Sequence, residues 1–138
     1  MRARKLKHRD ERLLACDNII TDEFSSDPLG LVPAELFPDY SKFRLEIGCG
    51  KGGFVRGEAI SHPDTAYIAV ELITDVIVQA AERTPKEEYK NVVFLNTNAS
   101  RLDRIFPAGS FERIHINFCD PWPKKRNAKR RLTCRTFL

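Results

Sequence analysis

Apolar residues along this chain gather into short dense runs, each bounded by glycine, proline or a polar turn-former. Four runs are rich in β-branched and aromatic residues: KFRLEIG (42–48), TAYIAVEL (65–72), NVVFLN (91–96) and FERIHINF (111–118). Their length and composition predict strands. The intervening segments carry helical spacing instead. Residues 52–61 read as a helix stopped by Pro63. TDVIVQAAER (74–83) takes Thr74 as its N-cap, puts Val76, Ile77 and Ala80 on one face, and stops before Pro85. ASRLDRIF (99–106) is a short helix, and NAKRRLTCRTFL (127–138) opens a further one. Strands alternating with helices on this spacing imply an α/β fold, an open, doubly wound, mainly parallel sheet with helices on both faces. Residues 1–40 read as a basic arm and a proline-containing loop, and residues 41–138 as the α/β domain.

In such a sheet, ligands collect at the carboxyl ends of the strands beside the topological switch point. Three acids lie at or near those ends: Glu46, Glu71 and Asp120. The turn LEIGCGKGG holds both G-x-G-x-G (Gly48, Gly50, Gly52) and G-x-G-x-x-G (Gly48, Gly50, Gly53). Alone, a glycine pattern is weak evidence; its place between a strand and a helix strengthens it. A dinucleotide would set its pyrophosphate on the helix N-terminus. Glu46, just ahead of the glycines, would repel phosphate and favour a cation. S-adenosylmethionine carries an ammonium and a sulfonium and no phosphate, and Glu71 is placed to accept from both ribose hydroxyls. The plain alternatives are a salt bridge from Glu46 to Arg44 or Lys51 and an ordinary strand-end acid at Glu71. Taken together, the acids and glycines favour the methyl donor over NAD. Asn98, past the third strand, has an amide able to bond adenine or simply to form a turn.

Composition narrows the class. With 138 residues, 42% of them hydrophobic, the chain is one folded domain rather than a disordered segment. No apolar run approaches a membrane span and the N-terminus has no signal-peptide core, so a cytoplasmic protein without membrane contact is expected. Cys16, Cys49, Cys119 and Cys134 form no C-x-x-C pair, which argues against zinc, any other metal site and a disulfide framework. The net charge of +4 is modest, but Lys124, Lys125, Arg126, Lys129, Arg130, Arg131 and Arg135 fall within twelve positions that contain no acid. Arg2, Arg4, Lys5 and Lys7 open the chain. A solvated face explains one such block. Two of them, with a pI near 9.0, point to a polyanion.

The stretch FCDPWPKKRNAKRR (118–131) joins these strands of evidence. The fourth strand should lie beside the first, which brings Asp120 to the donor's methyl group. Pro121 and Pro123 fix φ on either side of Trp122, holding it for core packing or for stacking. An acid beside a methyl donor, ringed by cations, suits methylation of a nucleic-acid base.

NFCDPWPKKRNAKRRLT resembles the signature of the bacterial tRNA (guanine-N7-)-methyltransferases, and LEIGCGKGGF and YIAVEL are similar to that family's donor-binding segments in order and spacing. The resemblance implies a Rossmann-like, S-adenosylmethionine-dependent methyltransferase fold, with 41–138 a partial methyltransferase domain. It implies donor-binding roles for Glu46, Gly48, Gly50, Gly52, Glu71, Asn98 and Asp120. It implies a catalytic role for Asp120 and tRNA contacts by Lys124, with Lys125, Arg126 and Arg130 beside it. Asn98 stands where the family commonly has Asp, and the family continues past residue 138 with more of the sheet and a Thr-x-x-Glu segment. A C-terminally truncated chain is therefore expected.

Chemistry limits the roles further. Guanine N7 offers an in-plane lone pair, so no proton need leave before methyl transfer. Alignment and stabilisation of the cation formed on the base are what help. N7 and O6 are acceptors, so Asp120 would accept from guanine N1–H and N2–H, while Lys124 would donate to O6 or to a phosphate. Three other functions fit parts of the sequence: an exocyclic-amine methyltransferase, a nicotinamide-dependent oxidoreductase, and a non-catalytic RNA-binding domain.

Overall fold

In a computed structural model, residues 6–22 and 29–117 are described. In chain order the elements are α1 (Arg9–Ala15), β1 (Ile19–Thr21), α2 (Pro33–Leu36), β2 (Lys42–Ile47), α3 (Gly53–Ser61), β3 (Thr65–Glu71), α4 (Thr74–Glu82), β4 (Val92–Asn96), a 3₁₀ turn at Ala99–Arg101, α5 (Leu102–Ile105) and β5 (Arg113–Ile116). The five strands form one sheet in the order β1-β4-β3-β2-β5, and every pairing is parallel. From β2 the chain winds outward through β3 to β4, then returns to place β5 on the other side of β2. The switch point therefore lies between β2 and β5. The expected pairing of the first and fourth predicted strands is observed, with Leu45 opposite Ile114 and Ile47 opposite Ile116.

The central strands β3 and β4 read as near-continuous apolar runs because both their faces are covered. On one face Leu45, Ile47, Ala66, Ile68, Val70 and Leu95 pack with Leu102, Ile105 and Phe106. On the other, Tyr67, Ala69, Val92 and Phe94 meet Val55 and Ala59 of α3 and Ile77, Ala80 and Ala81 of α4. Burying each such Val, Leu or Ile side chain contributes ~1.5–3 kcal/mol, so these two layers dominate stability.

Three local expectations are corrected. Within the expected basic arm and loop, residues 6–22 carry regular structure: α1 lies on α4, and β1 joins the sheet beside β4, with Ile19 opposite Phe94. The α1–α4 contact is polar, Arg9 pairing with Asp75 and Arg12 gripping both oxygens of Glu82. Thr74 is not the cap of α4. Ile73 occupies that position, and Thr74 is the first helical residue with its hydroxyl 3.2 Å from Asn96 Oδ1. The buried face of α4 is Ile77, Val78, Ala80 and Ala81, with Val76 only half-buried. Trp122, Cys119, Cys134, the basic run at 124–135 and the helix expected at 127–138 lie outside the described residues. Cys49 is buried, and burial pushes the Cys16 thiol pKa up.

Candidate functional site

At the carboxyl edge of the sheet, β2 ends in a turn that only glycine tolerates. Gly48, Gly50 and Gly52 have φ of 77°, 57° and 86°, in the left-handed region. A Cβ on Gly52 would also stand 2.7 Å from Arg56 Nη1. Gly53 has open space around it, so the G-x-G-x-G spacing is the one the backbone requires. The turn is pinned from several sides. Gly48 N–H and Cys49 N–H donate to Val70 O at 2.9 and 3.0 Å. Arg56 Nη1 donates to Lys51 O at 2.8 Å and to Thr84 Oγ1 at 3.1 Å.

Glu71, at the end of β3, faces this turn. Its Oε1 accepts from Gly50 N–H at 3.0 Å and its Oε2 from Ile73 N–H at 3.1 Å. The acid is thus fixed by backbone donors on both sides of the cleft, and each oxygen keeps a lone pair for a hydroxyl. It is more than an ordinary strand-end carboxylate.

Glu46 is 1% exposed, and it forms a salt bridge with neither Arg44 nor Lys51. Arg44 instead bonds Glu112 at 2.8 Å and lies 3.5 Å from Glu58. The partner of Glu46 is an amide: Asn117 Nδ2 donates to Oε2 at 2.8 Å. Oε1 is buried with no hydrogen-bond partner among the described residues. Burial raises this carboxyl to about 7; the Asn117 bond opposes the rise, while Glu58 and Glu71 add to it. An orphaned, buried carboxylate oxygen beside a glycine turn fits a cationic group and repels phosphate.

Two asparagines, one ending β4 and one just past it, do different work. Asn96, buried, donates through Nδ2 to Glu71 O and Leu72 O at 3.0 and 3.2 Å, clamping the loop that carries Glu71. Asn98 is exposed and its Oδ1 accepts from Ser100 N–H at 2.9 Å, which is the turn-forming role. The loop from Thr97 to Arg101 is anchored from below: Asp22, buried after β1, accepts from Thr97 Oγ1 at 2.8 Å and Arg101 Nε at 2.5 Å.

Glu46, Glu71, Asn98 and the glycine turn are therefore brought to one edge of the sheet. Asp120, Lys124, Lys125, Arg126 and Arg130 lie outside the described residues. Asn117, Asn96 and Asp22 went unnoticed in the sequence. The only signal for the first two was a polar amide closing an apolar strand. Among the described residues no group of His, Cys, Asp and Glu could hold a metal ion, and no helix is long and apolar enough to cross a membrane.

Comparison with known proteins adds the family. A family model described as "Putative methyltransferase" matches residues 41–138. A tRNA (guanine-N(7)-)-methyltransferase of Bacillus licheniformis is 45% identical over 103 residues, covering 75% of this chain and 48% of the relative. The enzyme of the same name from Geobacillus thermodenitrificans is 47% identical over 104 residues, again 75% and 48%. The chain thus spans about half the length of the curated relatives it matches. The crystal structure of the antibiotic-resistance methyltransferase Kmr aligns with a TM-score of 0.54 at 21% identity, over 75% of this chain and 55% of Kmr, a likeness of fold alone. By sequence across residues 41–138, and by a parallel sheet wound as in such enzymes, the chain belongs to this methyltransferase family.

Proposed function

We propose that this chain carries the donor-binding half of a tRNA (guanine-N7-)-methyltransferase that uses S-adenosylmethionine in the cytoplasm. The observation that carries the reading is Glu46 Oε1, buried and unpartnered among the described residues at the switch point. It calls for a cation, and S-adenosylmethionine supplies one together with a methyl group on sulfonium. Glu46 would hold the donor's ammonium, Glu71 its ribose hydroxyls and Asn98 Nδ2 an adenine ring nitrogen. The Gly48–Gly52 turn lets backbone approach the donor closely because no Cβ intervenes. Names of the relatives support guanine N7 and tRNA as acceptor.

The chain's own contribution to transfer is positional and electrostatic. Asp120 accepts from guanine N1–H and N2–H, which selects against adenine and balances the charge arising on the base. Lys124 donates to O6 or to a phosphate, and Lys125, Arg126 and Arg130 hold the RNA backbone. No proton has to leave N7, and no covalent enzyme intermediate is needed.

The test is titration with S-adenosylmethionine followed by transfer to unmodified tRNA, with nucleosides of the product separated by mass. Donor binding and N7-methylguanosine support the proposal. Methyl on an exocyclic amine would transfer the assignment to the other class of base methyltransferase. Absence of donor binding would overturn it. Asp120→Ala should keep tRNA binding and lose transfer; an active Asp120→Ala protein would remove Asp120 from the chemistry.

A further inference from the structure

Asn117 closes β5 at the switch point and is held there through its backbone, its N–H donating to Ile47 O at 3.0 Å. Its side chain is spent on one atom, Glu46 Oε2, at 2.8 Å. The choice of an amide has physical content. A carboxylate on a strand can rotate about its terminal torsion, and a single donor on one oxygen fixes the plane of the group and the direction of its other oxygen. A cation in that place would neutralise Glu46 and exclude a cationic ligand, whereas a second acid would repel it. The surrounding charges do not do this job. Glu58 from α3 and Glu71 from β3 are acids. Arg44, on β2 itself, bonds Glu112 and Tyr67 and approaches Glu58. His115, opposite Glu46 on β5, has its pKa held below the ordinary imidazole value chiefly by burial, with its Nε2 3.7 Å from Glu58.

We propose that Asn117 is a positioning residue for the methyl donor, locking Glu46 Oε2 so that Oε1 alone faces the donor's ammonium. This rests on the donor-site reading given above. Asn117 also stands three residues ahead of Asp120 in the sequence, and its one side chain ties the donor's anchor to the end of β5.

The arrangement predicts linkage to protons. With the empty-state carboxyl near 7, capture of a cation requires an ionised Glu46, so binding on the acid side releases a proton. Affinity there should fall about tenfold for each pH unit. The Asn117 bond favours the ionised form, so its loss must move the midpoint of this dependence to higher pH.

The experiment is calorimetric titration of S-adenosylmethionine into the 138-residue chain and into Asn117→Ala and Asn117→Ser. It runs from about pH 6 to about pH 8.5, in buffers of differing ionisation enthalpy so that released protons are counted. Both variants keep the backbone bond to Ile47, and thermal unfolding of each checks that it is folded. The expected result is roughly tenfold or greater weakening near pH ~7, a midpoint displaced upward, and more protons released there. Weakening that is equal at every pH, with midpoint and proton count unmoved, overturns the positioning role while the donor site stands. Unchanged affinity does the same. Failure of the parent chain to bind at any pH overturns both readings.

Discussion

Replacing Glu46 by Gln should move stability and ligand affinity in opposite directions. The carboxyl has its ordinary value of 4.5 in the unfolded chain and about 7 in the folded one. Between those values the folded state binds more protons, so stability falls as pH rises through the window, and the full deficit is present above it. At 1.36 kcal/mol per unit the ionisation penalty comes to about 3 kcal/mol. Gln is neutral and of the same shape, and its oxygen can still accept from Asn117. Its amide N–H at the Oε1 position would lack an acceptor, at a cost of about 1 kcal/mol. The net expectation is a gain of about 2 kcal/mol above pH ~7, seen as roughly 5–10 °C in Tm, shrinking to nothing or a small loss near pH ~4.5. Donor affinity should fall ~10- to 100-fold, because a charged hydrogen bond to the ammonium is lost. Thermal and urea unfolding across the pH range, with calorimetric titration of S-adenosylmethionine, measure both quantities. A Gln variant less stable than its parent at pH ~8, or a parent whose stability is flat between pH ~4.5 and ~7, would refute this account of Glu46.

Three further substitutions or conditions have definite outcomes. Gly52→Ala forces a left-handed alanine against Arg56 and should lose at least ~1–2 kcal/mol in urea unfolding, whereas Gly53→Ala, with open space, should be neutral or better. Equal effects would remove the G-x-G-x-G assignment. Asp22→Ala removes the buried acceptor of Thr97 Oγ1 and Arg101 Nε and should cost ~1–3 kcal/mol in urea unfolding; a surface-like change under ~0.5 kcal/mol would show these bonds to be marginal. If about four or five of the basic residues at 124–135 meet phosphates, raising salt from ~50 to ~200 mM should weaken tRNA binding about a hundredfold in filter or fluorescence assays. A flat response would dismiss tRNA as the partner.

Much of the sheet was legible because its strands are rich in β-branched and apolar residues, and the central pair β3 and β4 is buried on both faces. The four predicted strands match β2, β3, β4 and β5 within two residues at each described end, and the helices expected after the first three match in place. What escaped was local sequence too short to carry a period. β1 has three residues, and its strand character comes from pairing with β4 rather than from its own pattern. α2 is a single turn begun by Pro33. Thr74 misled because a hydroxyl near a helix start suits a cap, and here a tertiary partner, Asn96, claimed it. At the site, the glycine spacing and Glu46 declared their chemistry through residue type and position. Asn117 could not, since an amide at a strand end has no distinguishing pattern until the opposite strand supplies its carboxylate.

The place of β1 has a consequence for how the chain comes to fold. Its partners lie far along the polypeptide: Asp22 reaches Thr97 across 75 positions and Arg101 across 79. During synthesis from the N-terminus, this short segment has nothing to pair with until β4 has left the ribosome. The β2–β3–β4 core can assemble from nearer neighbours first, because closing a longer loop costs more chain entropy. Docking of β1 is then a late, separable event, and its release is a local opening that needs no global unfolding. Amide exchange should record it: N–H groups of Phe94 and Asp22, bonded across the β1–β4 seam, should exchange sooner than those linking β2 to β3. Each such opening would also free the loop bearing Asn98, so occupancy of the donor pocket should slow exchange at the opposite edge of the sheet.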